Sequence, residues 1–200
     1  RGVEQILSDV LMNPDIAEAV FTHIRDFYVS YAERIFEAAR GKLDILLMGD
    51  DFGSQQGLLM APEMWTAFLG EGFRRFASLA KQYGVRVMHH TCGSVRPLLP
   101  LMIERGLDIL QSLQPEAVGM DAAELKRDFG NRLAFHGGIS IQRTLPFGSP
   151  EDVRDEVRRR IEALAPGGGY ILCTAHNIQA DSPVENVKAL LDAYREFGGY

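Results

Sequence analysis

The chain has 200 residues, 46% of them hydrophobic and 24% charged, and a formal net charge of −6. That length can bury a sizeable core in one domain, and the acidic balance without a basic stripe argues against a nucleic-acid partner. No apolar run approaches the roughly 18 residues that cross a bilayer, and the only two cysteines, Cys92 and Cys173, exclude a disulfide scaffold and point to a reducing cytoplasm.

The opening Arg1-Gly2-Val3-Glu4 carries neither Met nor a signal pattern, so the chain is expected to begin inside a longer protein. Asn13-Pro14 predicts a helix N-cap and first turn. Apolar residues from Ile16 to Phe36 then recur at helical spacing up to a stop at Gly41. The run 43–48 predicts a strand covered on both faces, ending in Gly49-Asp50-Asp51. The pattern then repeats: helix 62–83 and strand 85–90, helix 95–105 and strand 108–112, helix 122–129 and strand 132–136, helix 150–165 and strand 170–173, and a last helix over 183–197. Ser149-Pro150 and Ser182-Pro183 each predict a serine N-cap. Trp65, Phe68, Phe73 and Phe76 read as core, and Arg158-Arg159-Arg160 as the solvated face of a helix. Gly167-Gly168-Gly169 reads as a turn into the last strand.

Strand–helix alternation predicts an α/β fold with a parallel sheet. Five units are a partial barrel of the (β/α)8 type or an open doubly wound sheet, and no Gly-x-Gly-x-x-Gly follows any strand to favour a dinucleotide site. Asp50, Asp51, His90, Cys92, Gln111, Gln114, His136, Cys173 and His176 fall at or just past predicted strand ends, where parallel α/β folds bind ligands. His90 and Cys92, two apart on a strand, share a face, while His89 points the other way. An imidazole and a thiol on one face suit zinc. The third ligand is expected from the last strand, as Cys173 or His176, with Asp50 or Asp51 completing the site or activating a water. His136, beside Gly137-Gly138, either bonds backbone at a tight loop or lines the pocket. Gln55, Gln111 and Gln114 are candidate substrate contacts. His23, within a helix, reads as solvated or structural.

Several segments together carry a family resemblance: Met48-Gly49-Asp50-Asp51, Leu59-Met60-Ala61-Pro62-Glu63, His90-Thr91-Cys92-Gly93-Ser94, Phe147-Gly148-Ser149-Pro150-Glu151, and the stretch from Gly167-Gly168-Gly169 through His176-Asn177-Ile178-Gln179 to Val187. Over nearly its whole length the chain resembles the uroporphyrinogen decarboxylase superfamily. The resemblance implies a (β/α)8 barrel, of which residues 1–200 are a single domain holding the C-terminal five units. One branch of that superfamily decarboxylates a porphyrinogen without metal or cofactor, and there His176 or His136 would bond substrate carboxylates. The other branch comprises corrinoid-dependent methyltransferases with a His-x-Cys pair and a later Cys as zinc ligands. His90 and Cys92 match the pair, the later Cys falls at His176, and Cys173 is the alternative. On that branch Asp50, Asp51, His136 and His176 become catalytic candidates. The partners are a small-molecule substrate and a corrinoid protein, and a homodimer is compatible. A non-catalytic barrel fragment that binds a tetrapyrrole or a partner is the third reading.

Overall fold

A computed structural model describes residues 1–199. In chain order the elements are α1 (Val3–Met12), α2 (Pro14–Ala39), β1 (Ile45–Gly49), α3 (Pro62–Trp65), α4 (Glu71–Gln82), β2 (Arg86–His90), α5 (Leu99–Glu104), β3 (Ile109–Leu113), α6 (Ala122–Phe129), β4 (Ala134–Ile139), α7 (Thr144–Phe147), α8 (Pro150–Leu164), β5 (Tyr170–Thr174) and α9 (Val184–Phe197). The strands form one sheet in the order β1-β2-β3-β4-β5. β3 pairs with β4, and β4 with β5, in parallel. The α/β class and the five strand–helix repeats therefore stand as the sequence predicts. No helix among the described residues is long and apolar enough to cross a membrane.

The chain divides into two compact units. The first comprises Arg1–Met48, Leu59–Met88 and Pro97–Leu107, and the second Gly49–Leu58, His89–Arg96 and Asp108 onward. In the first, Ala32, Phe36, Ala77, Leu79, Ala80, Val85 and Val87 make a core between α2, α4 and the start of β2. Trp65 and Phe73 are buried as expected. The predicted helix 62–83 runs as α3, a π turn over Thr66–Gly70, and α4. Arg105 lies over the Trp65 ring, its Cζ 5.5 Å from the centroid. Asn13 stands at the N-cap of α2 with Pro14 in the first turn, as expected, but its side chain makes no capping bond. The preceding helix α1, which the sequence reading missed, brings Asp9 within reach, and Asn13 Nδ2 bonds Asp9 Oδ1 at 3.0 Å instead. The left-handed turn that ends α2 starts one residue early, at Arg40 (φ 49°), and continues through Gly41 (φ 75°). β1 is not covered on both faces: Ile45 is 39% and Leu47 57% exposed. α5 is shorter than predicted because Pro97 and Pro100 interrupt its start, which winds as a tighter turn over Arg96–Leu98.

In the second unit, Ile139, Leu145, Val153, Val157, Leu190 and Ala193 are buried together between the end of β4, α7, α8 and α9. Ser149 caps α8 as predicted, in a reciprocal box with Asp152. The matching cap at Ser182 does not form. Pro183 holds an extended conformation (φ −58°, ψ 141°), α9 starts one residue later, and Ser182 Oγ has no hydrogen-bond partner among the described residues. Nearby, Asn186 Nδ2 donates to Leu145 O at 2.9 Å and Gly148 O at 2.8 Å, tying α9 to α7. Gly167, Gly168 and Gly169 all have φ between 75° and 80° and turn the chain into β5. Arg160 departs from the solvated row expected of it. Its Nε donates to Gly138 O at 2.8 Å and its Nη2 to the buried Glu156 at 3.0 Å.

β4 also runs on past its predicted end, through Gly137-Gly138 (φ 116° and 99°) to Ile139. No tight loop forms there. The Gly137 carbonyl accepts from Tyr170 Oη at 2.9 Å and the Gly138 carbonyl from Arg160. His136 consequently lies inside its strand rather than at the end, and Gln111 is mid-strand in β3.

Candidate functional site

Register arranges the site. In the second unit Asp50 N donates to His90 O at 3.1 Å and Thr91 N to Gln111 O at 2.6 Å. Gln111 is paired with His136, and His136 with Ile171. Paired residues of parallel strands point to one side, so Gly49, His90, Gln111, His136 and Ile171 form a row across one face. Gly49 leaves space beside His90: a Cβ there would stand 3.5 Å from the Cβ of His90.

His90 and Cys92 meet as expected, with Nε2 3.4 Å from Sγ, although β2 ends at His90 and Cys92 lies just past it. His90 Nδ1 lies 2.5 Å from Gln111 Oε1. Asp51 Oδ1 accepts from Cys92 N at 2.7 Å and stands 3.7 Å from His90 Nε2. Ser112 Oγ is 3.8 Å from Cys92 Sγ. Gln111 and Ser112, though consecutive, both reach the His90–Cys92 pair, because the register slips between Gln111 and Leu113. A bulge of this kind re-aims side chains and breaks the period of two. That is why the sequence reading missed Ser112. Thr91 was missed too. It is fully buried, and its Oγ1 accepts from Phe52 N at 2.9 Å.

The loop after β5 delivers the third group. Ala175 N bonds Ile139 O at 2.8 Å, Thr174 Oγ1 donates to His176 O at 2.7 Å, and the His176 ring meets that of His90 edge-on, 5.3 Å between centroids. His90, Cys92 and His176 can each offer a ligand atom, all within 4.8 Å of one another. They form the one such metal-capable group among the described residues. Cys173 is not in it: its Sγ neighbours Thr174 Oγ1 at 3.9 Å. Two imidazoles and a thiol are borderline-soft donors that suit zinc, and three protein ligands leave a fourth position open, as in catalytic zinc sites.

The glutamines serve the frame. Gln114, nearly buried, accepts from Gly93 N at 2.9 Å and donates to Gln55 Oε1 at 3.0 Å, while Gln55 O accepts from Val118 N at 3.0 Å. Loop 50–55 and loop 91–95 pack so closely that a Cβ on Gly93 would sit 2.5 Å from Ser54 O, and one on Gly53 2.9 Å from Cys92 O. His89 faces away, stacked on Phe52 with 5.0 Å between centroids. Its Nε2 is 3.3 Å from Asp50 O, and burial holds its pKa down to about 4. The carboxyl of Asp50 is pushed above the usual carboxylate range, first by desolvation and then by the Asp51 charge. The Cys92 thiol is pushed up by burial first, against the Ser112 hydroxyl, which lowers it. His136 is half-buried, which lowers its pKa, and its Nδ1 has no partner from another of the described residues. His23 is exposed on α2.

The chain is similar to known proteins. The family model described as uroporphyrinogen decarboxylase (URO-D) matches residues 1–197. A methylcobamide:CoM methyltransferase, MtaA, from Methanosarcina barkeri is 29% identical over 98% of this chain and 53% of its own length. A uroporphyrinogen decarboxylase from Actinobacillus succinogenes is 33% identical over 41% of this chain and 24% of its own length. A solved methyltransferase from Methanosarcina mazei superposes with a TM-score of 0.78 at 26% identity, covering 99% of this chain and 54% of that one. The chain thus spans about half the length of the full-length proteins it matches. On the match of nearly every residue to the family model, the chain belongs to the uroporphyrinogen decarboxylase family.

Proposed function

We propose that this chain carries the metal site of a zinc-dependent methyltransferase, which moves a methyl group between a small methoxy, methylated or thiol substrate and a corrinoid on a partner protein. The observation that carries this reading is the grouping of His90, Cys92 and His176 within 4.8 Å. The similarity to a protein named for methylcobamide and CoM supports it. Zinc, when bound, supplies the Lewis acidity that lets a thiol ionise or polarises a methoxy oxygen near neutral pH.

The chain's own residues do the rest. Asp51 fixes the Cys92 backbone and adds negative charge beside the cation position. Asp50, whose carboxyl is held above the usual range, is the acid–base candidate at the loop. Gln114 and Gln55 hold the loop that presents Cys92. His136 adds a half-buried imidazole to the same face, two strands from His90.

The test is metal analysis of the purified protein. One equivalent of zinc in wild type, lost in Cys92→Ala and His176→Ala but kept in Cys173→Ala, is the expected result. No zinc, with carbon dioxide released from a porphyrinogen by the protein, would establish decarboxylation instead. Tetrapyrrole binding with neither activity would point to a non-catalytic role.

A further inference from the structure

Gln111 occupies a position with a chemical consequence for His90. Its Oε1, 2.5 Å from His90 Nδ1, has lone pairs and no proton, so Nδ1 must be the donor. In the neutral ring the lone pair is then on Nε2. That atom faces Cys92 Sγ at 3.4 Å and Asp51 Oδ1 at 3.7 Å. Three lone-pair carriers converge there, an arrangement that favours a cation between them. In the other tautomer, N–H would project from Nε2 into the cluster and no metal could bind that atom. The Gln111 backbone is held on both sides, by Thr91 N on its carbonyl and by pairing with His136, so the side chain starts from a fixed point beside His90.

We propose that Gln111 is a positioning residue, which fixes His90 as the Nδ1–H tautomer so that Nε2 is the ligand atom. This replaces the substrate contact expected of Gln111 and rests on the zinc reading of the cluster. An acceptor against the remote ring nitrogen raises ligand basicity and sets ring orientation, and losing such a partner costs about 10–100-fold in metal affinity.

Two measurements on the purified chain test it. Long-range 1H–15N correlation of the histidine rings in metal-free protein, with His90 assigned by its loss in His90→Gln, should show the Nδ1–H tautomer in wild type. Gln111→Glu, which keeps an acceptor oxygen, should show the same tautomer. Gln111→Leu should shift His90 towards Nε2–H. In chelator competition, zinc affinity should fall about 10–100-fold in Gln111→Leu and stay within a few-fold of wild type in Gln111→Glu. An Nε2–H tautomer in wild type, or a Gln111→Leu variant with unchanged tautomer and affinity, overturns the inference. A wild type that binds no zinc overturns the zinc reading, and the ring spectra still decide the role of Gln111. If Gln111→Leu does not fold, the wild-type and Gln111→Glu spectra carry the test.

Discussion

Asp51 Oδ1 accepts a hydrogen bond from Cys92 N at 2.7 Å while standing 3.7 Å from His90 Nε2, so one carboxylate both shapes the turn that carries the thiol and charges the space beside the imidazole. Asn can keep the first task and loses the second. On the zinc reading, Asp51→Asn should fold normally and bind zinc about tenfold more weakly, while Asp51→Ala should lose more because the turn also loosens. Competition with a coloured chelator measures both. Equal affinities in all three proteins would remove Asp51 from the metal's surroundings.

The parts of this site that the sequence discloses are those governed by local periodicity. His90 ends β2 and Cys92 lies two residues beyond it, and a period of two carried past the strand end puts them on one face. Period two also separates His89, which stacks on Phe52 away from the cluster. Ser112 stays hidden because a register slip sends two consecutive side chains to the same pair. The choice between Cys173 and His176 turns on how the chain leaves β5, and the bond from Ala175 N to Ile139 O is a long-range contact that no local pattern encodes. Arg160 looks like one of three helical surface arginines until the carbonyl of Gly138 claims it. The Ser182 cap fails for a related reason: Ser149-Pro150 and Ser182-Pro183 are alike in sequence, but the second helix begins after its proline.

Gly93 tests the frame rather than the ligands. It has φ 85°, and a Cβ there would stand 2.5 Å from Ser54 O and 2.6 Å from the Gly53 carbonyl carbon. The left-handed conformation alone costs an L side chain roughly 1–2 kcal/mol, and the contact is with backbone that cannot swing aside. Gly93→Ala should therefore lower stability by about 2–4 kcal/mol in urea unfolding. Gly49→Ala is the control, because its Cβ would make an ordinary 3.5 Å contact with His90 and no positive φ opposes it. That variant should stay within about 1 kcal/mol of wild type. Similar losses at both positions would mean that the close approach of the two loops is not what requires Gly93.

Glu156 is 2% exposed and relies on Arg160, whose guanidinium also holds the Gly138 carbonyl. Ser140 N adds a longer bond to the same carboxylate oxygen, at 3.3 Å. Removing one partner of a buried pair leaves an uncompensated charge, which costs about 3–5 kcal/mol, whereas replacing both with apolar groups is often neutral. Arg160→Met should thus be destabilised by about 3 kcal/mol, and the double variant Arg160→Met with Glu156→Met should recover most of the loss. Thermal and urea unfolding of the four proteins of the cycle measure the coupling. Additive losses would show that the pair acts as two independent residues.

The capping box of α8 makes a pH prediction whose sign follows from Asp152. Its carboxylate accepts from Ser149 N at 2.8 Å and Ser149 Oγ at 2.7 Å, and these bonds, with the Ser149 hydroxyl the larger cause, hold its pKa below the usual carboxylate value. A carboxyl with a folded-state pKa below its unfolded value binds fewer protons when folded. Its contribution is therefore complete above the ordinary value of about 3.9 and disappears as the pH falls through the depressed folded value. Asp152→Asn should be less stable than wild type at neutral pH, and the gap should close in acid below about pH 4. Ser149→Ala should lose about 1 kcal/mol at neutral pH through the missing cap, and its deficit should also shrink in acid. Urea midpoints measured from pH 7 down to the lowest pH at which the protein still folds check both curves. A gap that stays constant across that range would show that the charge of Asp152 contributes nothing and that the cap acts through geometry alone.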